Sequence, residues 1–464
     1  MTLLRTLLIA GASLTAVACA VGPDYKAPAV APVAYQNAET FVTTANPEVE
    51  WWKGFEDPIL DQLVIQALGD NLDLRVAIAR VAEARALFTD TKLDQLPRVT
   101  TRGAYSLTDQ QFPAGNPRIE IEAFQAGFDA GWELDLFGRV RRGVEAARAD
   151  LGATEADLRD AQVTVAAEVA RNYFELRGAQ ERLAVARRNL ETQRETVRLT
   201  QVRFDVGRGD AIDVASATAR MKATEAAIPV LVTAETRANY RLAVLTGQRP
   251  GALDTLLAPR AEGLRPLIKA LAIGDAGDLL RRRPDVQAAE RRLAGQTARV
   301  GVATADLFPR VSVTGFVGFL SGDLSSFGNA SSRAWSVAPT VTWPGLDFIG
   351  ARARLKAQEA REEASLATYD QTVLRAIEDL ENALVAYRQQ QAQLASLTEQ
   401  ASASRRAAEL ARVQYREGGI DFLVLLDAER TLLAAEDALS VAETGVNTNV
   451  VAIYKALGGG WTPA

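Results

Sequence analysis

The chain has 464 residues, 48% of them hydrophobic, enough for two or three ordinary domains with buried cores. Its 52 basic residues stand against 58 acidic ones, a mildly acidic balance that argues against a nucleic-acid-binding surface driven by net positive charge. Histidine is absent, which removes the commonest catalytic base and transition-metal ligand, and no nucleophile, metal cluster or phosphate loop stands out, so an enzyme is not expected.

The N-terminus, MTLLRTLLIAGASLTAVACA, carries Arg5, an apolar run and then small residues that lead into the only cysteine, Cys19. Residues 1–18 have the layout of a secretory signal. Ala16 to Cys19 resembles the bacterial lipobox, in which cleavage precedes a cysteine whose thiol and new amine become acylated; Ala16 stands where leucine is commoner. A lone cysteine has no disulfide partner in its own chain, so a covalent lipid on Cys19 is expected, and no other cofactor or metal. Several acyl chains on one residue anchor stably where a single chain is marginal. By the same resemblance, Ala20 in place of aspartate favours sorting to the outer membrane. Residues 19–57 are expected to form a lipid-anchored, extended equatorial segment, and no further run of about 20 apolar residues predicts a transmembrane helix.

Beyond this leader the chain repeats itself at an offset of about 212 residues. LPR at Leu96 to Arg98 meets FPR at Phe308 to Arg310, Asp135 and Gly138 meet Asp347 and Gly350, Arg142 meets Arg354, and FDVGRGD meets YREGGID. The first repeat is placed at 58–246, the second at 278–457, with a Pro/Gly-containing connector at 247–277 and a tail at 458–464. Each repeat predicts helix, strand, strand, long helix, helix. The first helices are Pro58 to Leu96 and Leu279 to Leu307, stopped by Pro97 and Pro309. The strands fall at about 97–109 and 122–137, then at about 309–320 and 334–347. The long helix of the first repeat carries Leu176, Leu183, Leu190, Val197 and Phe204 every seven residues, and that of the second carries Val373, Leu380, Tyr387 and Leu394, continuing to Tyr415. A seven-residue seam implies supercoiled packing, and roughly 65 helical residues make a rod on the order of 100 Å. Gly207 and Gly209, and then Gly418 and Gly419, mark the turns where each long helix folds back.

The strands raise a question of solvent. In FQAGFDAGWELDLFG, Phe124, Ala126, Phe128, Ala130, Trp132, Leu134 and Leu136 alternate with Gln125, Asp129, Glu133 and Asp135. The other strands alternate likewise, with Val99, Tyr105 and Leu107, with Val311, Val313, Val317 and Phe319, and with Trp335, Val337, Val341 and Trp343 on one side. Segments of about ten residues with aromatic ends fit a transmembrane barrel. Four strands cannot close one, and open edges are not tolerated in hydrocarbon, so several copies must combine around an aqueous lumen lined by Gln125, Asp129 and Glu133.

Further motifs are CAVGPDYKAP, WWKGFEDPILDQLV, NLDLRVAIARVAEARA, WELDLFGRVRR, RRRPDVQAAERRLA, YREGGIDFLVLLDAERTLL and YKALGGGW. Together they cover almost the whole chain, which resembles the TolC-like outer membrane efflux proteins in the lipoprotein branch typified by OprM and NodT. The resemblance implies a mainly α fold with a transmembrane β portion: a long coiled-coil α-helical barrel continuous with a shared twelve-stranded β-barrel in a homotrimer. It also implies docking to a periplasmic adaptor and an inner-membrane transporter of the resistance-nodulation-division type, with no nucleic acid as a partner. The chain itself would be the passive exit duct for drugs or other small toxic compounds. At the gate the resemblance maps a leucine, an aspartate and an arginine onto Leu423, Asp427 and Arg430. Three copies of Asp427 about one axis would form an acidic ring. Asp210 and Asp213 of the neighbouring hairpin are candidate partners for Arg430, and an ordinary i,i+3 pair between Asp427 and Arg430 is the simpler alternative. Two other readings are a conduit for type I protein secretion and a coiled-coil structural or adaptor lipoprotein.

Overall fold

The computed structural model describes residues 20–29, 37, 42–43, 45–110, 119–260, 263, 265–268, 270–274 and 280–461; the signal segment and Cys19 lie outside the described residues. In chain order the elements are β1 (Val42–Thr43), α1 (Pro58–Asp70), α2 (Leu72–Leu93), β2 (Arg98–Gln110), β3 (Ile119–Leu134), α3 (Arg139–Asp205) and α4 (Ala211–Leu245). Then follow β4 (Leu271–Ala272), α5 (Pro284–Ala305), β5 (Arg310–Ser321), β6 (Arg333–Thr342), α6 (Phe348–Glu417) and α7 (Phe422–Ala456). The order of helices and strands is thus stated twice, as the internal matches imply. The chain divides into two compact units, and the long helices α3 and α6 contribute to both.

The first unit takes in Ala79–Ala156, Gln287–Gln371 and the described residues up to Ala29. Its centre is an antiparallel sheet in the order β2-β3-β5-β6. β3 ends at Leu134, short of the expected 137, because Asp135 turns to helix capping: its carboxylate accepts hydrogen bonds from the backbone N–H groups of Val140 at 3.0 Å and Arg141 at 2.9 Å. That satisfies donors which the first turn of a helix leaves unpaired. β6 likewise ends at Thr342, just ahead of Trp343 and Pro344. Residues next to the signal segment are docked in this unit. The Val21 N–H donates to the Phe137 carbonyl across 3.1 Å. The buried Arg142 guanidinium donates to the carbonyls of Val21 and Gly22 and to the Asp24 carboxylate, the last at 2.6 Å.

The second unit takes in Asp157–Val286, Thr372–Ala464 and Val30–Ile78 within the described residues. Most of each apolar seam is buried, Leu176, Leu183 and Leu190 in α3 and Leu380, Tyr387, Leu394, Ala401, Ala408 and Tyr415 in α6, whereas Val197 and Val373 are half-buried and Phe204, at the end of α3, is exposed. Trp51 and Trp52, from the segment expected to be extended and equatorial, also belong to this unit's core. The Trp51 ring stacks on Tyr454 with centroids 5.3 Å apart, and a Cβ on Gly459 would stand 3.1 Å from the Trp51 ring, so the WWKGF and YKALGGGW motifs meet. The single helix expected from Pro58 to Leu96 is two. Buried Asn71 separates α1 from α2, its Oδ1 accepting from the Asp73 and Leu74 N–H groups and its Nδ2 donating to the Leu245 carbonyl across 2.9 Å. A cap of this kind starts a new helix and costs the first its continuity.

Candidate functional site: the sheet face and the hairpin tips

Residues directly opposed in an antiparallel ladder share a face. The registers therefore place Val99, Phe128, Trp132, Val313, Val317, Trp335, Val337 and Val341 on one side of the sheet. That side is uncovered. Trp335 is 78% exposed, Val341 65%, Val337 64% and Phe128 53%. Burying one such side chain is worth about 1.5–3 kcal/mol, so a contiguous face of them left in water marks a surface that another apolar medium covers. The outer edges of β2 and β6 have no neighbour among the described residues.

The other side carries Gln125, Asp129 and Glu133, as expected, and their charges are matched. Arg102 meets Asp129 at 2.8 Å and Arg139 meets Glu133 at 2.6 Å. This side is not wholly polar, for the registers set Phe316 opposite Asp129 and Leu320 opposite Gln125.

The hairpin tips lie in the second unit. Both long helices end in the same cap. In α3 the Gly207 N–H bonds the Phe204 carbonyl and the Arg208 N–H bonds the Arg203 carbonyl; in α6 the Gly418 N–H bonds Tyr415 and the Gly419 N–H bonds Gln414. This is the Schellman arrangement, which needs a left-handed residue at its turn. Gly207 at φ +73° and Gly418 at φ +82° supply it. Gly209 and Gly419 follow in each turn without positive φ.

Leu423, Asp427 and Arg430 lie on α7 just after this turn, and Leu423 is 67% exposed. Arg430 Nη2 donates to Asp427 Oδ1 across 2.6 Å, with both side chains exposed. The expected pairing of Arg430 with Asp210 or Asp213 is not what one protomer forms. Asp427 stands one turn away on the same helix face and is reached first. Asp210 instead caps α4, its Oδ1 accepting from the Ile212 N–H at 3.1 Å, and Asp213 lies in that helix's first turn.

A second pattern runs along α3 towards the tip. Arg182, Asn189, Thr196 and Arg203 stand seven apart on α3, one position before the apolar seam, and each ties the first hairpin to the second. Arg182 bonds Asp437 at 2.7 Å, Asn189 bonds Glu436 at 3.1 Å, Thr196 Oγ1 donates to Glu429 at 3.1 Å, and Arg203 donates to the Tyr415 carbonyl at 2.6 Å. Such a ladder is visible in sequence as a seven-residue polar period, but only once its partners are known does it differ from a solvated helix face.

An uncovered apolar sheet face with open edges, joined to a duplicated pair of helical hairpins, is an arrangement met in known proteins. The solved outer-membrane channel OprN matches with a TM-score of 0.92 and 49% identity, covering 96% of this chain and all of that one. Outer membrane protein OprJ of Pseudomonas aeruginosa is 33% identical over 97% of this chain and 94% of its own length. The solvent efflux pump outer membrane protein SrpC of Pseudomonas putida is 30% identical over 96% of each. The model of the family "Outer membrane efflux protein" matches twice, at residues 63–248 and 276–459, once in each repeat. On that evidence the chain belongs to the outer membrane efflux protein family and is a channel, not an enzyme.

Proposed function

We propose that the protein is the exit duct of a tripartite efflux pump, with three copies giving four strands each to one twelve-stranded barrel in the outer membrane. The observation that carries this is the uncovered apolar face between two open edges: lipid covers the face, and neighbouring copies pair the edges. The long helices of the three copies form the wall of a periplasmic tunnel. A coiled-coil structural lipoprotein has no use for such a face. Energy comes from an inner-membrane transporter of the resistance-nodulation-division type, coupled through a periplasmic adaptor.

The cargo is drugs or other small toxic compounds, a class supported by the similarity to an efflux component of a solvent pump. Cys19 is acylated and anchors the chain, a reading supported by the docking of Val21, Gly22 and Asp24 beside the end of β3. Leu423, Asp427 and Arg430 line an iris-like periplasmic gate, and the three copies of Asp427 set its charge. The purified protein placed in planar bilayers is expected to give discrete ion-conductance steps, and cells lacking it to accumulate an apolar dye. A silent bilayer together with unchanged dye retention would overturn the proposal.

A further inference from the structure

The most buried charge at the hairpin tips is not one of the gate residues. Glu429 of α7 is 2% exposed, although Asp427 and Arg430 close by on the same helix are both exposed. Its carboxylate accepts from Thr196 Oγ1 of α3 at 3.1 Å and from Arg412 Nε of α6 at 3.0 Å. The fourth tip helix also senses it. Arg220 of α4 has a buried Nε with no hydrogen-bond partner; burial and then the Arg430 charge push its guanidinium down, and the Glu429 charge opposes them. One buried anion thus faces the guanidinium groups of Arg412 on α6 and Arg220 on α4 and is joined by a hydroxyl from α3.

We propose that Glu429 is the positioning residue of the gate, the counter-charge that allows Arg412, Arg220 and Arg430 to lie together and so holds the two hairpins of a protomer in the closed arrangement. This rests on the gate reading of Leu423, Asp427 and Arg430 but assigns the lock to a different residue. The physical reason is an asymmetry. Taking away one partner of a buried ion pair leaves the other charged and unmatched, whereas taking away both is far milder. Glu429→Gln keeps the shape and an acceptor for Thr196, yet leaves the guanidinium groups facing one another.

The test is conductance of the assembled protein in planar bilayers, read beside the heat resistance of its oligomer in detergent. Glu429→Gln is expected to raise conductance severalfold over the parent, and Glu429→Gln combined with Arg412→Gln to return most of the way. Glu429→Asp, which keeps the charge, should stay near the parent. The double variant keeps the idea testable even where the single one assembles poorly, because it lacks the unmatched Arg412. Parental conductance in Glu429→Gln while Asp427→Ala opens the pore overturns the lock and spares the gate. A double variant as leaky as the single one also overturns the lock. Parental conductance in both Glu429→Gln and Asp427→Ala overturns lock and gate together.

Discussion

The indole Nε1–H of Trp132 donates to the backbone carbonyl of Gln95 across 3.1 Å. Its counterpart in the second repeat, Trp343, does the same to Leu307, also at 3.1 Å. In both repeats the bond joins the end of a helix to the end of the second strand that follows it, so the duplication extends to side-chain contacts. Tryptophan with an apolar body and a polar handle suits the boundary between hydrocarbon and water. Replacing Trp132 by Phe removes one net hydrogen bond, worth about 1 kcal/mol. A small drop in the thermal unfolding midpoint is expected, with a further drop when Trp343→Phe is added, both read by circular dichroism.

Trp335 is the most exposed of the residues on the apolar sheet face. In vesicles with brominated acyl chains it should be quenched. Intrinsic fluorescence is expected to lose a larger quenched fraction in Trp335→Phe than in a variant of buried Trp51, which the lipid does not reach. Equal quenching in the two would remove the lipid from that face.

Asp427 and Arg430 form an exposed i,i+3 pair, and such pairs contribute about 0.2–0.5 kcal/mol. Asp427→Ala and Arg430→Ala should therefore leave thermal stability almost unchanged while conductance rises. Variants as tightly shut as the parent would detach these residues from the gate.

Glu443 of α7 has its carboxyl pushed up to about 7, first by burial and then by the charge of Glu181. A group whose folded pKa lies above its unfolded one favours the folded state fully below the unfolded value, and that contribution is lost as pH rises through the folded value. For Glu443 the window runs from the ordinary glutamate value of 4.5 to about 7. Stability is expected to fall across that window, and Glu443→Gln to flatten the fall and unfold later at pH 8, measured by thermal melts. A variant with the parental pH profile would assign the slope elsewhere.

Cys19→Ser is expected to abolish incorporation of labelled palmitate into the protein. Label that persists in the variant would reject the lipobox reading.

Much of this fold was legible because its signals are periodic. Alternation along Phe124 to Leu134 set the strand and its faces, and the spacing of Leu176, Leu183 and Leu190 set a seam that is buried. Strand ends were less legible, since Asp135 continues the alternation while its carboxylate caps α3. Asn71 hid in an alanine- and leucine-rich run because one polar residue does not disturb a helical pattern, yet its side chain caps α2. Trp51 and Gly459 meet across most of the chain's length, and no local pattern announces such a contact. At the hairpin tips, the turn glycines were readable from their chemistry. The partner of Arg430 was not, because two acids in another hairpin and one on its own helix satisfy the same charge rule, and only distance separates them.

The number of chains in the complex tests the account most directly. Extracted in mild detergent and weighed by native mass spectrometry, the protein should appear as three copies bound together, with β2 of one copy cross-linking to β6 of the next through cysteines placed on those edges. A stable single copy, with its apolar sheet face protected from lipid-soluble labels, would contradict it.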